Sequence, residues 1–174
     1  EMPLVRYATG GYICASPFPY DGIFRRAVLN FKFHNCGAYA ELLSHEMVRS
    51  IKDVYRDREF DLVTCVPMHK DTLRKRGYNQ AELLAKECAR LLGIEYADLL
   101  AETKKNKTQH SIKAAERAKN VIGVYSPIDK NLIKGKRILI IDDIITTGST
   151  LGECARILNK CKCGEICCCT LCTS

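Results

Sequence analysis

The sequence predicts a single α/β domain, a mostly parallel sheet flanked by helices. Short aliphatic runs alternate with amphipathic helical stretches along the chain. The strongest runs, 60–66 and 138–141, are apolar at consecutive positions, as strands covered on both faces are. The chain has 174 residues, one domain's worth on a prior of about 150 per domain. At that size folding buries roughly 70% of the surface that the unfolded chain exposes, enough for a full core.

The opening residues, through Phe18-Pro19-Tyr20-Asp21-Gly22, are turn-rich and read as irregular. Ile23, Phe24, Ala27, Val28 and Phe31 then recur at helical spacing. A second helix is expected from about Ala38 to Tyr55, with Tyr39, Leu43, Met47 and Ile51 every four residues. The run 60–66 ends at Pro67 and reads as a buried strand. A basic segment follows, with His69, Lys70, Arg74, Lys75 and Arg76, read as a loop.

Asn79 is a good N-cap, with Glu82 three residues on. Ala81, Leu84, Ala85, Cys88, Leu91 and Leu92 make one apolar stripe, and Gly93 is a natural stop. The polar stretch 104–110 comes next. A short strand is expected from Val121 to Tyr125, a buried strand at Ile138–Ile141, a helix from Ser149 to Cys161, and a last strand from Ile166 to Leu171.

Apolar residues are 47% and charged residues 27%, which excludes disorder, collagen and coiled coil as the main class. No window of about 18 apolar residues without charge exists, so no membrane helix is expected. The start, EMPLVRYATGG, lacks the basic and apolar regions of a secretory signal. Lys plus Arg is 27 and Asp plus Glu is 20, so 27 − 20 = +7. That excess favours anionic partners, phosphates or nucleic acid, without choosing between them. The 11 cysteines of 174 residues fall below the 8–10% of a short disulfide scaffold. Their number is odd, so a reduced, cytoplasmic setting is expected.

The stretch 138–150 carries the chemistry. A buried strand delivers Asp142 and Asp143 to the carboxyl edge of the sheet, where open α/β folds bind ligands. Thr146, Thr147, Gly148, Ser149 and Thr150 follow at a tight turn into a helix. Backbone N–H groups of that first turn, with the hydroxyls, form an anion cradle. Gly148 lets backbone approach the anion closely. The aspartates suit sugar hydroxyls or a hydrated Mg²⁺. A sugar carrying a phosphate satisfies both halves.

This stretch resembles the ribose-phosphate signature of type I phosphoribosyltransferases: four apolar residues, two acids, two apolar residues, then Thr-Thr-Gly-x-Thr. The segment 61–80, with Val66-Pro67 and Arg76-Gly77-Tyr78-Asn79-Gln80, resembles the ComF family within that superfamily, Tyr78 replacing the usual Phe. Tyr20-x-Gly22, Phe31-Lys32-Phe33 and the region from Lys104 to Val121 are similar to further elements of that family. The likeness runs from about Phe18 to the end.

The resemblance implies a type I phosphoribosyltransferase-like fold with a small N-terminal hood. The whole chain, 1–174, is then one domain, about 1–58 as hood and helices and about 59–174 as core. It implies binding of 5-phosphoribosyl pyrophosphate with Mg²⁺ and transfer of phosphoribosyl to an acceptor that the sequence does not name. Asp142 and Asp143 would hold the ribose hydroxyls as the catalytic pair. Thr146, Thr147, Gly148, Ser149 and Thr150 would hold the 5-phosphate. Arg74, Arg76, Lys104 and Lys107 are the pyrophosphate candidates, since guanidinium forks suit phosphates; basic residues of a polar loop are otherwise simply solvated.

A non-catalytic relative that binds phosphoribosyl pyrophosphate or a nucleotide in DNA uptake (competence) shares the same signature. Turnover with an acceptor separates the two. The expected partners are the phosphoribosyl ligand and the DNA-uptake machinery, with no membrane, and a homodimer is left open.

Two departures stand out. Many ComF members carry an N-terminal zinc-binding cysteine cluster, whereas only Cys14 stands in that region here. No metal held directly by protein ligands is expected. Thr146 replaces the acid that purine-base members place near the base, which argues against base activation of that sort. The late cysteines, Cys161 to Cys172, are read as small buried hydrophobes rather than a metal site, because neighbours on a strand face opposite sides.

Overall fold

The computed structural model describes residues 2–33, 37–104 and 121–174. Strands β1 (Leu4–Ala8) and β2 (Tyr12–Ser16) form an antiparallel hairpin, and β3 (Phe18–Pro19) follows. Helices α1 (Gly22–Phe33) and α2 (Gly37–Val54) lead to β4 (Leu62–Cys65). Then come α3 (Lys70–Arg76), α4 (Gln80–Leu92), β5 (Glu95–Tyr96) and the hairpin strands β6 (Leu100–Glu102) and β7 (Tyr125–Pro127). The single turn α5 (Lys130–Ile133), β8 (Arg137–Ile145), α6 (Ser149–Lys160) and β9 (Glu165–Thr173) complete the chain.

The main sheet has the order β1-β2-β9-β8-β4-β5, with β3 also on β9. Among the described strands of this sheet only the β1–β2 pair is antiparallel. The opening stretch read as irregular is thus a hairpin that extends this sheet. Its Gly10-Gly11 turn has φ +94 and +85, conformations glycine adopts without strain. The basic segment read as a loop is the helix α3. It buries no residue fully, so no apolar stripe announces it. His69 Nδ1 accepts from the Asp71 N–H and Gly77 ends it in the left-handed region. The strand expected at 121–125 lies later, at Tyr125–Pro127.

Two cores flank the sheet. On one face α1, α2 and α4 bring Phe31, Met47, Ile51, Leu84 and Cys88 onto Val63, Leu139 and Ile141. On the other, α6 and the β6–β7 hairpin bring Leu151, Leu158 and Leu100 onto Leu62, Ile138 and Ile140. The consecutive cysteines follow strand alternation: Cys167 and Cys169 enter the first core, Cys168 the second. Tyr55, just past α2, locks helix to sheet, its hydroxyl 2.9 Å from the Ile13 carbonyl and 2.7 Å from that of Cys168. Among the described residues no helix is long and apolar enough to cross a membrane.

Candidate functional site

Strand length creates the site. β4 ends at Cys65, opposite Ile141, and the Val66 N–H makes the last bond to the Ile141 carbonyl at 3.0 Å. β8 runs on to Ile145 beside β9. Asp142 and Asp143 therefore lie inside β8, just past the point where β4 has stopped. From there the chain leads from β4 through α3 to α4 on one face, while β8 feeds α6 on the other. The chain diverges between these strands, which is where open α/β sheets leave a crevice.

Both carboxylates are held by protein. Asp142 Oδ1 accepts the Asp143 backbone N–H at 2.8 Å. Asp143 is 6% exposed, and its Oδ2 accepts from Gln80 Nε2 at 3.1 Å. Gln80 Oε1 in turn accepts from Arg76 Nη1 at 2.8 Å. The charge of Asp142 is felt by buried thiols. Burial pushes Cys14 and Cys65 up to about 12, and the Asp142 charge adds to the rise. They remain thiols at neutral pH and supply no thiolate nucleophile.

Past β8, Thr146 and Thr147 are exposed and Gly148 turns with φ +72. α6 then begins with no side-chain cap and no acid in its first turn. A helix start carries N–H groups that lack intrahelical acceptors; here, among the described residues, the Ser149 N–H reaches Thr147 Oγ1 at 3.4 Å, and the two hydroxyls meet at 2.9 Å. Gly148 also has a packing reason. A Cβ there would lie 2.7 Å from Ala8 Cα, so the missing side chain lets the first hairpin dock.

The basic candidates divide. Arg76 is half-buried against Gln80. Arg74 is exposed, its ion pair with Asp71 stretched to 4.0 Å. Lys104 is exposed just past β6. Lys107 lies outside the described residues, as does most of the polar stretch 104–110. A cavity of about 540 Å³ opens between the loop after β4 and the β6–β7 hairpin, with Pro67, His69, Lys70, Asp98 and Glu102 in its wall.

The segment 76–80 is largely architectural. Gly77 adopts φ +87 and closes α3. The Tyr78 hydroxyl donates to the Phe31 carbonyl. Asn79 caps α4 through the Ala81 N–H (3.0 Å) and donates Nδ2 to the Val66 carbonyl (3.1 Å). Sequence reasoning missed the direct contact of Gln80 with Asp143. The available signal was a polar side chain at the buried start of an amphipathic helix.

A mostly parallel sheet with a carboxylate pair and a helix start at its carboxyl edge defines an α/β protein of the class that opens a crevice at that edge. The family described as the phosphoribosyl transferase domain matches residues 79–174, and the chain belongs to that family. Two relatives support the ComF resemblance. Competence protein F of Haemophilus influenzae is 31% identical over 144 residues, 80% of this chain and 63% of that protein. DNA utilization protein YhgH of Escherichia coli is 30% identical over 99 residues, 56% of this chain and 43% of that protein. The chain thus spans less than two thirds of either relative. Among solved structures, adenine phosphoribosyltransferase from Thermoanaerobacter pseudethanolicus shares the fold at a TM-score of 0.50 and 14% identity, over 80% of this chain and 83% of that one.

Proposed function

We propose that this protein binds 5-phosphoribosyl pyrophosphate with Mg²⁺ and transfers the phosphoribosyl group to an acceptor. The observation that carries this is the end of β8, where two anchored carboxylates and an uncapped helix start meet within eight residues of chain, 142–149. Asp142 and Asp143 hold the ribose hydroxyls. Thr146, Thr147, Gly148, Ser149 and Thr150 hold the 5-phosphate through hydroxyls and N–H groups. Arg74, Lys104 and Lys107 meet the pyrophosphate, joined by whichever Arg76 donors Gln80 leaves.

The carboxylates are hard oxygen donors of the kind Mg²⁺ accepts, each with one oxygen already fixed. Mg²⁺ on the diphosphate would neutralise charge on the leaving pyrophosphate. The protein's own share is orientation of the anomeric carbon and charge complementarity through an oxocarbenium-like state.

Thermal unfolding with and without ligand and Mg²⁺ tests this. At about 100 times the dissociation constant, binding adds about 2.7 kcal/mol, a shift on the order of 5–11 °C for this size. The shift should need Mg²⁺ and vanish in Asp142→Asn/Asp143→Asn. A well-folded parent with no shift at millimolar ligand would overturn the proposal.

A second reading, an accessory role in DNA utilization like that named for one relative, has its own support. Lys134, Lys136 and Lys162 are exposed on two loops, and Lys160 at the end of α6, at the opposite end of the sheet. Gly135 N–H to the Lys162 carbonyl (2.9 Å) and Gly164 N–H to the Lys136 carbonyl (2.8 Å) join those loops. Among the described ion pairs none involves these lysines. Single-strand affinity should fall with salt at a slope of about −0.7 per phosphate contacted, and flatten when the four become Gln.

A further inference from the structure

The Arg76–Gln80–Asp143 chain does more than fill space. We infer that Gln80, oriented by Arg76, is the positioning residue for Asp143. The inference rests on the phosphoribosyl-ligand reading for its consequence, and on geometry for its substance.

Donor and acceptor polarity leaves one arrangement. Arginine only donates, so the Gln80 amide must turn Oε1 to Arg76. That turn presents Nε2 to Asp143, which accepts as a carboxylate. A flipped amide would set oxygen against carboxylate and N–H₂ against guanidinium. Arg76 therefore settles which end of Gln80 faces Asp143.

Hydrogen bonds fix the scaffold under this chain. Arg76 is the last residue of α3 and Gln80 the first of α4, and the left-handed Gly77 brings them together. Tyr78 is tied to α1 and Asn79 to the Val66 carbonyl. Gln80 is 6% exposed, like Asp143. Hydrogen bonds to a charged group away from water are strong, and hold a rotamer before any ligand arrives. Asp142 is oriented in part by its neighbour's backbone N–H.

The test uses Arg76→Met and Gln80→Glu in the full chain. Gln80→Glu keeps an acceptor for Arg76 but sets a carboxylate against Asp143. Two quantities are measured: hydrogen exchange of the Gln80 side-chain amide by NMR without ligand, and affinity for 5-phosphoribosyl pyrophosphate with Mg²⁺ by calorimetry. The parent amide should be protected, and Arg76→Met should speed its exchange tenfold or more. Gln80→Glu should weaken the ligand about tenfold or more. Parent-like exchange in Arg76→Met together with parent-like affinity in both variants overturns the inference. If Gln80→Glu does not fold, Arg76→Met, altered at a half-exposed side chain, decides by amide exchange, the readout that a direct contact of Arg76 with the pyrophosphate would not move. If the parent binds no ligand, the ligand reading fails, and exchange alone judges the positioning. A protected amide released by Arg76→Met then upholds it, and a freely exchanging parent amide overturns it.

Discussion

The Thr9 backbone N–H donates to the Gly148 carbonyl at 3.1 Å, binding the turn of the first hairpin to the loop between β8 and α6. Gly152, one turn along α6, makes room for the same residue. A Cβ on Gly152 would lie 2.4 Å from the Thr9 carbonyl oxygen and 2.7 Å from Thr9 Cβ. The first strands thus brace the proposed phosphate loop from behind.

Gly152→Ala should therefore reverse the usual helix rule. Alanine within a helix ordinarily gains up to about 1 kcal/mol over glycine. Here the hairpin must shift, and overpacking of this kind costs about 1–3 kcal/mol. Urea unfolding reads the sign directly; a more stable Gly152→Ala would show that the contact is loose.

Asn79 joins two functions in one side chain, the α4 cap and the bond to Val66. Asn79→Ala should cost about 2–3 kcal/mol, the sum of a cap and a buried hydrogen bond. Asn79→Ser keeps a cap oxygen but cannot reach as far, so it should recover only the capping share. Equal losses in the two variants by chemical denaturation would mean that the bond to Val66 contributes little.

Acid stability should depend on Asp61. The Arg137 side chain, and then its backbone N–H, hold the Asp61 carboxyl well below the usual carboxylate range. A depressed folded-state pKa stabilises above the unfolded value, near 4, and that contribution is lost as pH falls toward the folded one. Asp61→Asn should be less stable than the parent at pH 6, the gap narrowing steadily toward pH 2. A gap independent of pH would place the effect in packing rather than charge.

The thiols set the alkaline limit. Burial pushes Cys14, Cys65 and Cys88 up to about 12. Raised thiol values stabilise fully below the unfolded value, about 8.5, and that share disappears as pH rises toward 12. At neutral pH a thiol reagent should label the half-buried Cys161 and Cys163 well before the buried Cys168 and Cys169. Mass-spectrometric mapping checks the order, and equal rates at these four positions would contradict it.

The helix 80–92 was legible because cap, apolar stripe and stopping glycine are all local, and so was the strand 138–141. The hairpin β1–β2 was not. Four of the five β1 residues are exposed, so no alternation marks it, and only pairing with β2 orders it. α3 escaped notice for a related reason: capping at both ends defines it, with no fully buried residue.

The acids, hydroxyls and glycine of 142–150 lie within nine residues, so their meeting at one turn follows from chain connectivity alone. What neighbouring residues cannot say is who stands behind them. Gln80 meets Asp143 across 63 positions of sequence, and Thr9 meets Gly148 from the far end of the chain. Such contacts depend on strand order and on β8 outrunning β4, which long-range packing decides. Local spacing determined the chemistry on offer. The tertiary structure chose which side chain holds Asp143, because only a folded sheet brings the start of α4 to the end of β8.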